Sequence, residues 1–123
     1  MQFTELKKSL ETGEVFPIYI LEGEDAYFRA LSLETLKSAL IKEPTLNAAT
    51  FDGGNQDMGE VLASLTAAPF FSDYRMTVIK DFYPKADAVR GGLKDFLENP
   101  VKGSVLVVVN ERIHDGFKKF KNV

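Results

Sequence analysis

Cysteine is absent from the 123 residues, which excludes disulfides, thiolate catalysis and cysteine-ligated metal and fits a reducing compartment. Histidine is nearly absent: His114 stands alone, so neither a metal site nor a Ser-His-Asp arrangement can be built around it. An excess of positive charge is lacking too. With 15 Lys and Arg against 18 Asp and Glu, the net charge is −3, and the chain as a whole is not an electrostatic nucleic-acid binder. Long apolar runs are missing. Stretches such as Val105 to Val109 fall far short of the ~20 residues a membrane helix needs. The opening Met1-Gln2-Phe3-Thr4-Glu5 has no basic segment leading into an apolar one, so it does not read as a signal peptide. These absences read as a soluble cytoplasmic protein with no membrane partner. No internal repeat, low-complexity tract or interior linker stands out.

What is present is ordinary for a globular domain: 45% hydrophobic and 27% charged residues, at a length that suits one domain. Thr4 is placed to cap a short helix carrying Leu6 and Leu10, ended by Thr12-Gly13. Val15 to Leu21 reads as a strand, apolar enough to be buried on both faces. Asp25 caps a helix running to about Lys42, with Ala26, Ala30, Leu33, Leu36 and Leu40 as its apolar stripe, and Pro44 following it. Asn47 to Phe51 is a weaker strand, closed by the turn cluster Asp52-Gly53-Gly54-Asn55. Asp57 and Glu60 resemble a capping box for a helix with Met58, Val61, Leu62 and Leu65. Arg75 to Lys80 is a third strand. Asp87 opens a helix with Val89, Leu93, Phe96 and Leu97, weakened by Gly91-Gly92 and stopped by Asn99-Pro100. Ser104 to Val109 is a fourth strand, and the remainder is polar with a basic end, Lys118, Lys119 and Lys121, read as a solvated face.

Strands alternating with helices predict an α/β fold, a three-layer doubly wound parallel sheet. Another helix and strand should follow the fourth strand, so the chain reads as one domain, residues 1–123, of something longer. In such a fold a phosphate loop would follow the first strand. Here that turn is Glu22-Gly23-Glu24-Asp25, with one glycine, no Gly-Lys-Ser/Thr and three carboxylates, which predicts no working nucleotide site. One enzyme-like alternative remains. Glu24, Asp25 and Asp81 all follow strands and could converge on Mg²⁺, with Asp81 accepting a phosphoryl group as in a receiver domain. Against it, Asn110 rather than Ser or Thr ends the fourth strand, and no Lys-Pro pair follows.

The most informative stretch lies between the second amphipathic helix and the third strand: Pro69-Phe70-Phe71-Ser72-Asp73. Pro69 ends the helix, Ser72 and Asp73 are turn residues, and two large rings stand side by side on a short connector. Phenylalanine is usually buried, but adjacent rings on a turn do not face the same way, and an exposed apolar pair marks a partner site.

Four segments in order now resemble the delta subunit family of the bacterial DNA polymerase III clamp loader. They are the first strand running into Glu22-Gly23-Glu24-Asp25-Ala26-Tyr27; Pro69-Phe70-Phe71-Ser72 leading into Arg75-Met76-Thr77-Val78-Ile79-Lys80-Asp81; Phe96-Leu97-Glu98-Asn99-Pro100; and the Leu106 to Val109 strand. The resemblance implies an AAA+-like, P-loop NTPase-like domain without a working ATP site, the first of three domains. It implies no catalytic residue and no cofactor here, although the family belongs to a nucleotidyltransferase complex. It further implies that an apolar pair on a short helix, by position Phe70 and Phe71 flanked by Pro69 and Ser72, enters a pocket on the β sliding clamp and helps open the ring in DNA replication. Other loader subunits would be joined through later domains, and DNA would be reached only indirectly.

Overall fold

A computed structural model describes residues 3–54, 58–83, 92–112 and 121–122. The elements run α1 (Phe3–Glu11), β1 (Ile18–Glu22), α2 (Ala26–Leu40), α3 (Pro44–Asn47), β2 (Ala48–Asp52), α4 (Met58–Thr66), β3 (Arg75–Lys80), α5 (Gly92–Glu98), β4 (Ser104–Asn110) and β5 (Lys121–Asn122). The strands form one sheet in the order β2-β3-β4-β1-β5, and every pairing is parallel.

The alternation of side chains along each strand divides the core into two halves. Tyr19, Leu21, Met76, Val78, Val105 and Val107 face α1 and α2, where Leu6, Leu33, Leu36 and Leu40 close over them. Ile18, Ile20, Ile79, Leu106 and Val108 face α4 and α5 and meet Val61, Leu65, Leu93 and Phe96. Helices therefore cover both faces, as the uninterrupted apolar runs of β1 and β4 require.

Several boundaries differ from the sequence reading. Thr4 lies inside the first turn of α1, not at its cap. β1 begins three residues later than expected, after Pro17, whose ring leaves no N–H for the ladder; its carbonyl still accepts from the Leu106 N–H at 2.8 Å. In α2, Ala26 and Ala30 are exposed, and Ser32 is buried beside Leu33. Pro44 opens α3 instead of merely stopping α2, because a fixed φ suits the first helical position and its missing N–H would be unpaired there anyway. β5 adds a short strand beside β1 within the stretch read as a polar tail. The expectations for Asn55, Asp57, Asp87, Val89, Gly91, His114, Lys118 and Lys119 lie outside the described residues.

Candidate functional site

The connector from Ala67 to Tyr74 joins α4 to β3 at the N-terminal edge of the sheet and is irregular along its length, with no helical turn in it. Phe71 is 81% exposed and Phe70 52% exposed. Their rings meet edge to face, with centroids 4.5 Å apart and planes at 72°. Phe71 has φ 53°, the left-handed region that costs a non-glycine residue roughly 1–2 kcal/mol. A solvent-facing ring held in a strained backbone requires other contacts to fix that backbone.

Those contacts come from two other segments. Asn47, fully buried at the end of α3, accepts from the Phe70 N–H through Oδ1 at 2.6 Å and donates from Nδ2 to the Phe70 carbonyl at 2.7 Å. The same Nδ2 donates to the Lys42 carbonyl at 2.7 Å. Ser72 Oγ accepts from the Lys42 N–H at 3.2 Å and from the Tyr74 N–H at 3.4 Å. Arg75 then locks α3 to α4, its Nε donating to the Ser64 carbonyl at 3.0 Å and its Nη1 to the Leu46 carbonyl at 2.8 Å. On the far side Gly103, at φ 83°, lets the connector lie against β4: an added Cβ would stand 3.1 Å from the Asp73 carbonyl and 3.3 Å from Pro69 Cγ. Pro69 and Ser72 therefore shape and tie the loop, while Phe70 and Phe71 are what it presents.

At the opposite edge the turn after β1 is built differently from a phosphate cradle. Such a loop needs its backbone N–H groups free to point at the anion. Here the Gly23 N–H donates to the Asn110 carbonyl at 3.2 Å, and the Tyr27 N–H to Asp25 Oδ1 at 2.9 Å. Asp25 is thus the N-cap that the sequence suggested. Arg29 turns back to donate to the Gly23 carbonyl and stands 3.8 Å from Glu111. The cleft beside it, about 280 Å³, is lined by Arg29, Leu33, Lys80 and Asp81 among others.

The receiver-domain alternative is corrected by the strand order. Receiver sheets run 2-1-3-4-5, which makes β1 and β3 neighbours. Here β4 lies between them, so Asp81 is two strand spacings, roughly 10 Å, from the turn that carries Glu24 and Asp25. Among the described residues no three acidic or histidine side chains come together as a metal site.

Residues 19–122 match the family described as DNA polymerase III, delta subunit. The chain belongs to that delta subunit family. It is 23% identical over 112 residues to DNA polymerase III subunit delta of Bacillus subtilis (strain 168), covering 83% of this chain and 32% of that protein. The chain thus spans about a third of that relative's length. Among solved structures it is similar to the Bacillus subtilis DNA clamp loader delta protein, with a TM-score of 0.84 at 20% identity over 99% of this chain and 42% of that one. It is also similar to a DNA polymerase III gamma subunit-related protein from Thermotoga maritima, with a TM-score of 0.66 at 22% identity over 91% of this chain and 40% of that one. These likenesses establish the AAA+-like α/β fold of this delta family chain.

Three residues of the site escaped sequence reasoning. Sequence reasoning places Asn47 at the start of a strand, does not single out Leu46, and takes Arg75 as the start of a strand and of a family segment, not as a tie between helices. The available signal was the Pro44 start of α3. Tyr27, which the sequence reading names only within a family segment, forms a second exposed aromatic pair with Phe28. The two rings are 5.4 Å apart at the start of α2, on regular helical backbone and without the cross-links that hold Phe70 and Phe71.

Proposed function

We propose that this delta family chain binds the DNA polymerase III β sliding clamp through Phe70 and Phe71, with Pro69 and Ser72 fixing the loop, and helps open the ring during DNA replication. The chain is the N-terminal domain of a three-domain protein of the cytoplasm. It acts as a binding module with no cofactor and no catalytic residue, engages the other loader subunits through later domains, and reaches DNA only indirectly. The observation that carries this reading is an 81% exposed Phe71 held at φ 53° beside Phe70. An exposed aromatic pair suits a hot-spot anchor, and backbone strain concentrates at functional sites. The committed N–H groups of Gly23 and Tyr27 and the carboxylates of the turn after β1 support a domain that does not turn over nucleotide.

The test is a calorimetric titration of the 123-residue chain with the clamp of the same organism. The Phe70→Ala/Phe71→Ala double variant should melt near the parent and lose binding by about 2 kcal/mol or more per ring, with Phe71 contributing at least as much as Phe70. A double variant that binds at parental affinity removes the site. One that unfolds outright assigns the rings to the core.

A further inference from the structure

The connector does not present its rings alone. α3 is a single turn, yet it reaches across to the connector through a buried side chain. Asn47 holds both backbone groups of Phe70, Ser72 holds the Lys42 N–H at the other end of the same corner, and Arg75 fixes the Leu46 carbonyl. Of the three left-handed non-glycine residues among those described, two belong to this corner: Glu43 at φ 54°, immediately before α3, and Phe71. The outward product of α3 is Leu46, 51% exposed, adjacent in sequence to the asparagine that grips Phe70. The hydrogen bonds therefore tie the backbone that carries Leu46 to the backbone that carries the two rings.

We propose that Leu46 is a third anchor of the docking surface, seated on the same apolar region of the sliding clamp as Phe70 and Phe71. This rests on the reading of the aromatic pair as the clamp contact and extends it to an element that β2 and α4 separate from the connector in sequence. The occupant follows from continuity. A partner surface that takes Phe70 meets the segment hydrogen-bonded to Phe70 at 2.6 and 2.7 Å, and the large apolar side chain exposed on that segment is Leu46, next to the asparagine and three residues past the exposed Glu43. Burying the exposed half of a leucine is worth about fivefold to tenfold in affinity.

The experiment titrates the clamp with the parent chain, Leu46→Ala, Leu46→Met, Leu46→Lys and the Phe70→Ala/Phe71→Ala double variant, with a melting curve for each. Leu46→Ala should weaken binding about fivefold to tenfold, and Leu46→Lys further. Leu46→Met should stay within about twofold of the parent, because volume and apolarity are kept. All three should melt near the parent, since the side chain is half in water. If the double variant loses binding while Leu46→Ala and Leu46→Lys keep parental affinity, the present inference falls and the aromatic site stands. If the double variant keeps parental affinity, or the parent itself does not bind, both fall.

Discussion

Replacing Phe71 with alanine and with glycine should reverse the usual ranking of those two residues. In most helix and strand positions glycine is about 0.5–1 kcal/mol worse than alanine, because its unfolded chain has more freedom to lose. Phe71 sits at φ 53°, where an L-residue with a Cβ costs roughly 1–2 kcal/mol and glycine costs almost nothing. Both variants lose the same edge-to-face contact with Phe70 at 4.5 Å, worth about 0.5 kcal/mol at the exposed end of its range. Because the ring is 81% exposed, neither loses much burial. The difference between the two isolates the backbone: Phe71→Gly should be more stable than Phe71→Ala by about 1 kcal/mol, or about 4 °C in melting temperature for a domain of this size. Phe82→Ala, at a buried ring, is the contrast and should cost about 3–5 kcal/mol. Urea denaturation with matched slopes is the assay. Glycine at or below alanine would refute the left-handed connector, and a Phe71→Ala cost near that of Phe82→Ala would show that the ring is core.

Two further outcomes are expected. Asn47→Ala should lose about 2–3 kcal/mol of stability through its unmatched hydrogen bonds and also weaken clamp binding; Asn110→Ala, which breaks the same kind of grip on Phe82 at 2.8 and 2.9 Å, should cost comparable stability and leave clamp binding unchanged in the same titration. Tyr19 is fully buried, and burial raises its phenol above the ordinary value of 10.0, opposed in part by the hydrogen bond from the Phe16 N–H. Its folded-state stabilisation is therefore present in full below pH about 10 and lost as pH rises through the raised value, so Tyr19 should give its phenolate absorbance above the ordinary tyrosine range, and Tyr19→Phe should flatten the alkaline fall in stability.

The strands and the long helix were legible because their burial is written in local pattern. Arg75 to Lys80 was read to the residue, and the burial of β1 on both faces followed from a run with no charge in it. Adjacency on a proline-ended connector argues that at least one of Phe70 and Phe71 leaves the core; that both stand in water is the structure's finding. What holds them was not legible. Asn47 lies 23 residues from Phe70 in sequence, and nothing local distinguishes a buried asparagine that grips a distant backbone from one that starts a turn. α3 was hidden by the ambiguity of proline, which ends one helix and opens the next. The strand order was hidden too, since alternating helices and strands fit several parallel arrangements. Only the placement of β4 between β1 and β3 separated this fold from the receiver arrangement.

Asn47 and Asn110 solve one problem at the two ends of the sheet. Each is buried, each spends Oδ1 on a backbone N–H and Nδ2 on the carbonyl of the same phenylalanine, and each thereby fixes a chain entering or leaving β3. A buried amide left unpaired would be costly, so each grip is all or nothing and holds its segment in one geometry. At the C-terminal edge the gripped ring, Phe82, turns inward and closes the core, its backbone close against Gly53 in the turn after β2. At the N-terminal edge the same device holds Phe70 half in water, with Phe71 beyond it almost fully so. If the fold needed only to seal its sheet, the second grip would have turned its ring inward as the first does. That Phe70 stands half in water instead, with Phe71 against it on a left-handed backbone, places the cost of the arrangement at the edge where a partner would recover it.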